Sequence, residues 1–238
     1  MERRTYVLVH GAWHGGWCWR RVADRLRGAG HAVFTPTLTG LGERRHLLHE
    51  GITLETFVQD VANVIAAEEL SEVYLVGHSF GGRVACGVAD VMRDAVRRLV
   101  LLDAGLPEPG KAAWDDLPPA EREARLARAR AAGLHFAVPP PPPPAFGVTE
   151  PAAVAWLERR LTPHPLGAYP PPLRLSPPLG NGLPVTYVRC TAPAYEPIAS
   201  SAEQARARSD WEYLELATGH DAMVTAPDAL AEILLALQ

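Results

Sequence analysis

The sequence predicts an α/β fold: a mostly parallel central sheet flanked by helices, with a proline-rich helical cap inserted in the middle of the chain. Three observations carry this. Apolar runs of strand length alternate with segments of helical spacing over the first hundred residues. Those strands are near-continuous apolar runs, as strands covered on both faces must be. The alternation then stops, most of the 23 prolines fall between residues 107 and 183, and the strand–helix rhythm resumes afterwards. The expected organisation is a core of residues 1–106 and 183–238 with a cap insertion at 107–182.

The elements follow in order. "TYVLVH" (5–10) is the first strand. "WRRVADRLRGAGH" (19–31) has Val22, Leu26 and Ala29 at helical spacing, with Gly30 as a C-terminal cap. "AVFTPT" (32–37) is the second strand. "TLETFVQDVANVIAAE" (53–68) is a helix whose start carries only part of a capping signal, Thr53 followed three residues later by Thr56. "EVYLVGHS" (72–79), "GGRVACGVADVM" (81–92) and "RRLVLLDAG" (97–105) read as strand, helix and strand. In the cap, "PAEREARLARARAAG" and "EPAAVAWLERRLT" read as helices. The run "VPPPPPPAF" (138–146) between them is a stiff polyproline strut. The acids and arginines of "EREARLARAR" alternate, which indicates a solvated helix face. "LPVTYVRCT" returns to the sheet, "WEYLEL" (211–216) is the last strand and "APDALAEILLAL" (226–237) the last helix.

Bulk properties exclude several classes. Hydrophobic residues at 47% and charged residues at 21% match an ordinary globular protein, and a net charge of -4 offers no electrostatic footprint for nucleic acid or an anionic membrane. Cys18, Cys86 and Cys190 match no metal or redox spacing and read as reduced thiols. The opening "MERRTYVLVHGAW" is too short in its apolar run for a signal segment or a membrane span, so a cytoplasmic location is expected.

The chemistry-bearing motif is "VGHSFGG", in which Gly77, Ser79 and Gly81 form a G-x-S-x-G pattern where a strand ends and a helix begins. A sharp turn there lifts the serine hydroxyl clear of the sheet and sets it at a helix N-terminus, where negative charge is favoured. "VHGAWHGGW" follows the first strand and can aim a backbone N–H at the nucleophile, so Ala12 and Phe80 are the candidate oxyanion-binding amides. His10 is read as a loop-fixing residue and His14 as a structural or pocket-wall residue. "ATGHDAMV" places His220 after the last core strand, at the C-terminal strand ends where reactive groups of such sheets gather.

The stretches "VLVHGAWHGGWCW", "AGHAVFTPTLTGLG", "VYLVGHSFGG" and "YVRCT…GHDAM" resemble the α/β-hydrolase superfamily, in the branch that holds plant methylesterases, hydroxynitrile lyases and their bacterial relatives. The resemblance covers both ends of the core and matches the cap poorly. It implies hydrolysis of small, often aromatic esters, and it carries over to Ser79, His220 and the amides of Ala12 and Phe80. Two departures from the branch matter. Lyases carry a threonine after the first-strand histidine and a lysine after the catalytic histidine, where this chain has Gly11 and Asp221; lyase chemistry is thereby disfavoured. Plant members take their triad acid from an aspartate soon after "CT", where Pro193 stands here.

A serine–histidine pair without a carboxylate loses about 10⁴-fold in rate, so the acid is sought elsewhere. Asp221 adjoins the histidine too closely, and Asp210 precedes the last strand at the wrong end of the sheet. Asp103 ends the strand after the nucleophile's and is the favoured candidate; Glu196, in the loop after "CT", is the alternative, and neither remains a third outcome. The expected function is a serine carboxylesterase acting on small aromatic or apolar esters through an acyl-enzyme, with no metal or organic cofactor and with a homodimer left open. The cap aromatics Trp114, Phe136, Phe146 and Trp156 are expected to line or cover an apolar pocket. A C–C or cyanohydrin lyase or hydrolase, and a non-catalytic ligand receptor, are the competing readings.

Overall fold

The computed structural model describes residues 3–170 and 172–238. Its sheet is built from β1 (Thr5–Val9), β2 (Ala32–Phe34), β3 (Val73–His78), β4 (Val96–Leu102), β7 (Val185–Cys190) and β8 (Glu212–Leu216), while β5 (Ala137–Val138) and β6 (His164–Pro165) form a separate small ribbon. The six strands run in the order β2-β1-β3-β4-β7-β8, and every neighbouring pair is parallel. The helices are α1 (Arg20–Gly28), α2 (Leu54–Ala67), α3 (Gly81–Val91), α4 (Pro119–Ala131), α5 (Pro151–Glu158), α6 (Ala199–Arg206), α7 (Ala222–Thr225) and α8 (Pro227–Ala236).

Successive side chains of a strand point to opposite faces, and β1 shows the consequence. Val7 and Val9 enter the core layer shared with α2, α3 and α6. Tyr6 and Leu8 enter the layer shared with α1 and α8. Both layers exclude water, which is why the strands carry no polar alternation.

Two helix boundaries differ instructively from the reading of the sequence. α1 stops at Gly28 and buries Ala23 rather than Ala29; Gly30 follows with φ of +92°, the left-handed turn that ends helices. The start of α2 is fully capped: the Thr56 N–H donates to Thr53 Oγ1, and the Thr53 N–H donates to Thr56 Oγ1. A threonine hydroxyl does here what a glutamate does in the usual capping box. Three features were not anticipated at all, the short helix α7 (Ala222–Thr225) among them. Another is α6, whose apolar signal is only a few alanines. The third is the β5–β6 ribbon, of two residues per strand.

The proline run leaves β5, keeps extended geometry through Pro142 (φ -63°, ψ 145°) and ends in a single 3₁₀ turn, Pro143–Phe146. It acts as a strut: the Trp13 indole donates to Val138 O at its start (2.9 Å), and the Asp221 N–H donates to Phe146 O at its end (3.2 Å). Among the described residues no helix is long and apolar enough to cross a membrane.

Replacing Thr53 by Ala removes the reciprocal cap of α2. Denaturant unfolding should show a loss of about 1 kcal/mol with an unchanged m-value.

Candidate active site

The site grows from the register of two strands. β3 and β4 pair in parallel with His78 opposite Leu102. The next residue on each chain, Ser79 and Asp103, therefore emerges at the same C-terminal edge. Both turn sharply there, with φ of +53° and +42°. Non-glycine residues hold such conformations at a cost of order 1–3 kcal/mol each, and only where surroundings enforce them. The surroundings do so for Ser79: its N–H donates to Leu102 O (3.1 Å), and its carbonyl accepts from the N–H groups of Gly82 (3.0 Å) and Gly105 (3.3 Å). The flanking glycines are required sterically. A Cβ on Gly77 would lie 2.5 Å from Gly81 O, and one on Gly81 would lie 2.4 Å from His10 O.

Ser79, His220 and Asp103 form one continuous chain of hydrogen bonds. His220 Nε2 lies 2.9 Å from Ser79 Oγ, and His220 Nδ1 lies 2.6 Å from Asp103 Oδ2. Asp103 is fully buried, and its other oxygen accepts from the Cys190 N–H and from Arg189 Nη1, each at 3.0 Å. Glu196 is not part of this chain. It is exposed and opens a 3₁₀ turn, Glu196–Ile198, that leads into α6. Asp210 pairs with Arg208 at the surface.

The loop that could have supplied the acid supplies Tyr195 instead. Its ring stacks on the His220 imidazole with centroids 4.0 Å apart and planes 22° apart. Burial pushes the Tyr195 hydroxyl up to about 12, so it stays protonated. The Tyr195 carbonyl lies 3.5 Å from both terminal nitrogens of Arg189, which ties this loop to the residue that holds Asp103.

Three further histidines support the site. Burial lowers His10 to about 3, so it is neutral; its Nδ1–H donates to Gly11 O and its Nε2 accepts the Leu38 N–H, fixing the β1 loop. His78, the variable residue before the serine, is driven well down by burial, and its Nε2–H donates to His220 O at 2.9 Å. Its imidazole packs 4.6 Å from the His220 ring, a role that nothing in the G-x-S-x-G pattern announces. His14 bridges the loops: Nδ1–H donates to Ala12 O (2.8 Å), and Nε2 pairs with Asp221 Oδ2 (3.0 Å). Burial opposes charge on His14, but the Asp221 carboxylate outweighs it and raises the pKa. Burial likewise opposes charge on Asp221, and His14 outweighs it and lowers that pKa.

A small cavity of about 60 Å³ opens onto Ser79, with Ala12, Trp13, Phe80, Arg125 and Tyr195 among its walls. Among the described residues, the N–H groups of Ala12 and Phe80 donate to no protein acceptor. The cap aromatics expected there lie elsewhere. Trp114 stacks behind Tyr169 (4.4 Å), Phe146 is buried against Trp13, His14 and His220, and Trp156 faces a different cleft beside Trp17. Phe136 is half-buried away from the cavity.

Nor is the cavity purely apolar. Arg125, on the α4 stretch that reads as a solvated face, is instead a buried residue of the cap. Its Nε donates to Glu121 (2.7 Å), its Nη1 to Tyr169 Oη (3.1 Å), and its guanidinium lies 5.2 Å from the Trp13 ring centroid. Burial disfavours its charge, but Tyr169, Tyr195 and Glu121 together raise its pKa. Arg83 also borders the cavity, ion-paired with Asp116 and donating to Leu106 O. Helix periodicity marked Arg125 no differently from its exposed neighbours. Among the described residues no group of three or more His, Cys, Asp or Glu side chains is arranged to hold a metal ion.

A family model described as the alpha/beta hydrolase family matches residues 6–233, and the chain belongs to that family. Its relatives place it in the esterase, methylesterase-like branch. It is 42% identical to a carbendazim hydrolyzing esterase of Nocardioides sp. (strain SG-4G), over 98% of this chain and 99% of the relative. It is 33% identical to methylesterase 7 of Arabidopsis thaliana over 45% of this chain and 42% of that one. Among solved structures it superposes with a TM-score of 0.83, at 25% identity and 98% coverage of both chains, on an extracellular alpha/beta-hydrolase from a Paenibacillus species. That structure is described as sharing homology with tobacco salicylic acid binding protein 2.

The His14–Asp221 pair yields a pH prediction. A raised His14 pKa stabilises the fold below its unfolded value of 6.5, and this is lost as pH rises through the higher folded value. A lowered Asp221 pKa stabilises above 3.8 and is lost as pH falls through the lower folded value. Stability from the pair is therefore greatest between 3.8 and 6.5. Asp221→Asn should cost about 3 kcal/mol in that window and flatten the decline above pH 6.5, as read by thermal unfolding across pH.

Proposed function

We propose that the protein is a serine carboxylesterase that works through an acyl-enzyme. The observation that carries this is the unbroken Ser79–His220–Asp103 hydrogen-bond chain at 2.9 and 2.6 Å, on a strained turn at the C-terminal edge of the sheet. Ser79 Oγ attacks the ester carbonyl while His220 Nε2 takes its proton. Asp103 holds the Nδ1–H tautomer and stabilises the imidazolium that forms. The carbonyl oxygen, now anionic, is received by the N–H groups of Ala12 and Phe80. His220 returns the proton to the departing alcohol, then activates water, and hydrolysis of the acyl-enzyme regenerates Ser79.

The small cavity favours a compact acyl group, with Trp13, Tyr195 and Arg125 around it. The guanidinium supports esters with a hydrogen-bond acceptor near the carbonyl over purely aliphatic ones. The likeness to an esterase named for carbendazim hydrolysis supports aromatic substrates.

The lyase reading loses support from two positions. A side chain at Gly11 would bring its Cβ within 3.0 Å of Ser79 Cβ and 3.1 Å of His78 Nδ1, leaving little room for a threonine. Asp221 is buried on His14 and supplies no cation beside His220.

The test is a panel of short aryl esters with purified protein and variants. Ser79→Ala should abolish turnover. Asp103→Asn should lower kcat about 10⁴-fold with the fold intact, whereas Glu196→Gln should match wild type. If the wild type hydrolyses none of the panel, or if Glu196→Gln is the variant that collapses, the assignment fails.

Tyr195 acts as a positioning residue under this reading, since an aromatic face favours an imidazolium by roughly 1 kcal/mol. Tyr195→Leu should lower kcat roughly three- to tenfold and shift the acidic limb of the pH–kcat profile, while Tyr195→Phe should leave both nearly unchanged. A loss in KM alone would assign the ring to substrate binding instead.

A further inference from the structure

A second concavity, of about 710 Å³, lies along α1 from Arg20 to Arg27, between it, the turn that carries Glu43 and Arg45, and the C-terminal end of α5. Its volume falls within the range of ligand clefts, about 300–1,000 Å³. Five arginines line it: Arg20, Arg27, Arg45, Arg159 and Arg160, against a single acid, Glu43. This is a concentration of positive charge in a chain whose net charge is -4.

Exposed arginines elsewhere show what a solvated surface looks like in this protein. Arg25 pairs with Asp228, Arg130 with Glu123 and Arg206 with Glu215. In the cleft the pattern is absent. Among the described residues, Arg20, Arg45 and Arg159 have no carboxylate within ion-pair distance. Arg27 has Asp24 at 3.8 Å and donates to Val33 O at 2.8 Å, and Arg160 donates to the Trp156 carbonyl. Arg20, Arg27, Arg45 and Arg159 are exposed around this open concavity, where like charges repel one another and raise the local concentration of anions. The walls are also aromatic: Trp17 and Trp156 meet edge to face at 4.9 Å, and the Arg160 guanidinium lies 4.8 Å from the Trp156 ring centroid.

We propose that this cleft binds a small organic polyanion carrying an aromatic ring, of the size and charge of a nucleoside diphosphate. The guanidinium forks receive the anionic groups, which they match bidentately, and the indoles and the Arg160 plane receive the ring. The site is separate from Ser79, with no lining residue shared between the two cavities. ADP binding does not depend on the esterase assignment; only the retained-hydrolysis control for the double variant rests on it.

The experiment is calorimetric titration of the full chain with ADP, pyrophosphate and adenosine at low salt, with sulfate at matched ionic strength as the control. ADP should bind at least tenfold more tightly than pyrophosphate or adenosine and weaken steeply with added salt. The double variant Arg45→Ser/Arg159→Ser should lose ADP affinity at least tenfold while keeping ester hydrolysis. Without ligand it should unfold at a higher temperature than wild type, because a repulsion has been removed. Absence of ADP binding, equal binding by the double variant, pyrophosphate as tight as ADP, or an ADP effect reproduced by sulfate would each overturn the proposal.

Discussion

The carboxylate of Asp103 is the constraint around which the rest of the site is organised. An ionised carboxylate with no exposure to water is tolerated only when its oxygens are supplied with donors. The donors come from places far apart in the chain: the β7 backbone at Cys190, the Arg189 side chain and the His220 ring. Satisfying one buried anion thus fixes the end of β4 against the end of β7 and against the loop before α7. Arg189 extends the arrangement to Tyr195, which lies over the histidine that Asp103 orients. Positioning of the base and solvation of the acid are one set of bonds.

A second set holds the opposite side. The His14–Asp221 pair joins the loop after β1 to the loop that carries His220, and Phe146 closes over both from the cap. The Ala12 amide therefore sits on backbone anchored apart from Ser79, the preorganisation that its proposed oxyanion-binding role requires.

The core was legible in the sequence because each of its strands is an apolar run and each turn has its own chemistry. Ser79 and His220 were legible from a glycine-framed turn and from chain order. Asp103 was legible only through topology, as the residue that follows the strand paired with β3 once sequential strands are taken as neighbours. What could not be read was whatever depends on how the cap folds back. Arg125 and its exposed neighbours on α4 share one repeating charge pattern, and only packing against Trp13 and Tyr169 distinguishes them. The four cap aromatics likewise carry no mark of which way they face. Tyr195 had no pattern to betray it, since a ring stacked on a histidine depends on two loops meeting.

On the proposed assignment the acid resides on a strand end, and the segment after β7 is released from the duty it has where the acid sits in that loop. A strand end is held by the sheet and tolerates little variation in length, whereas a surface segment tolerates a great deal. Here that segment can be lengthened, shortened or exchanged without displacing a proton-relay residue, provided an aromatic ring still covers the histidine. The same segment borders the small cavity through Tyr195, Pro197 and Ile198, which makes it a sensible target for libraries that seek new substrates without rebuilding the Ser79–His220–Asp103 chain.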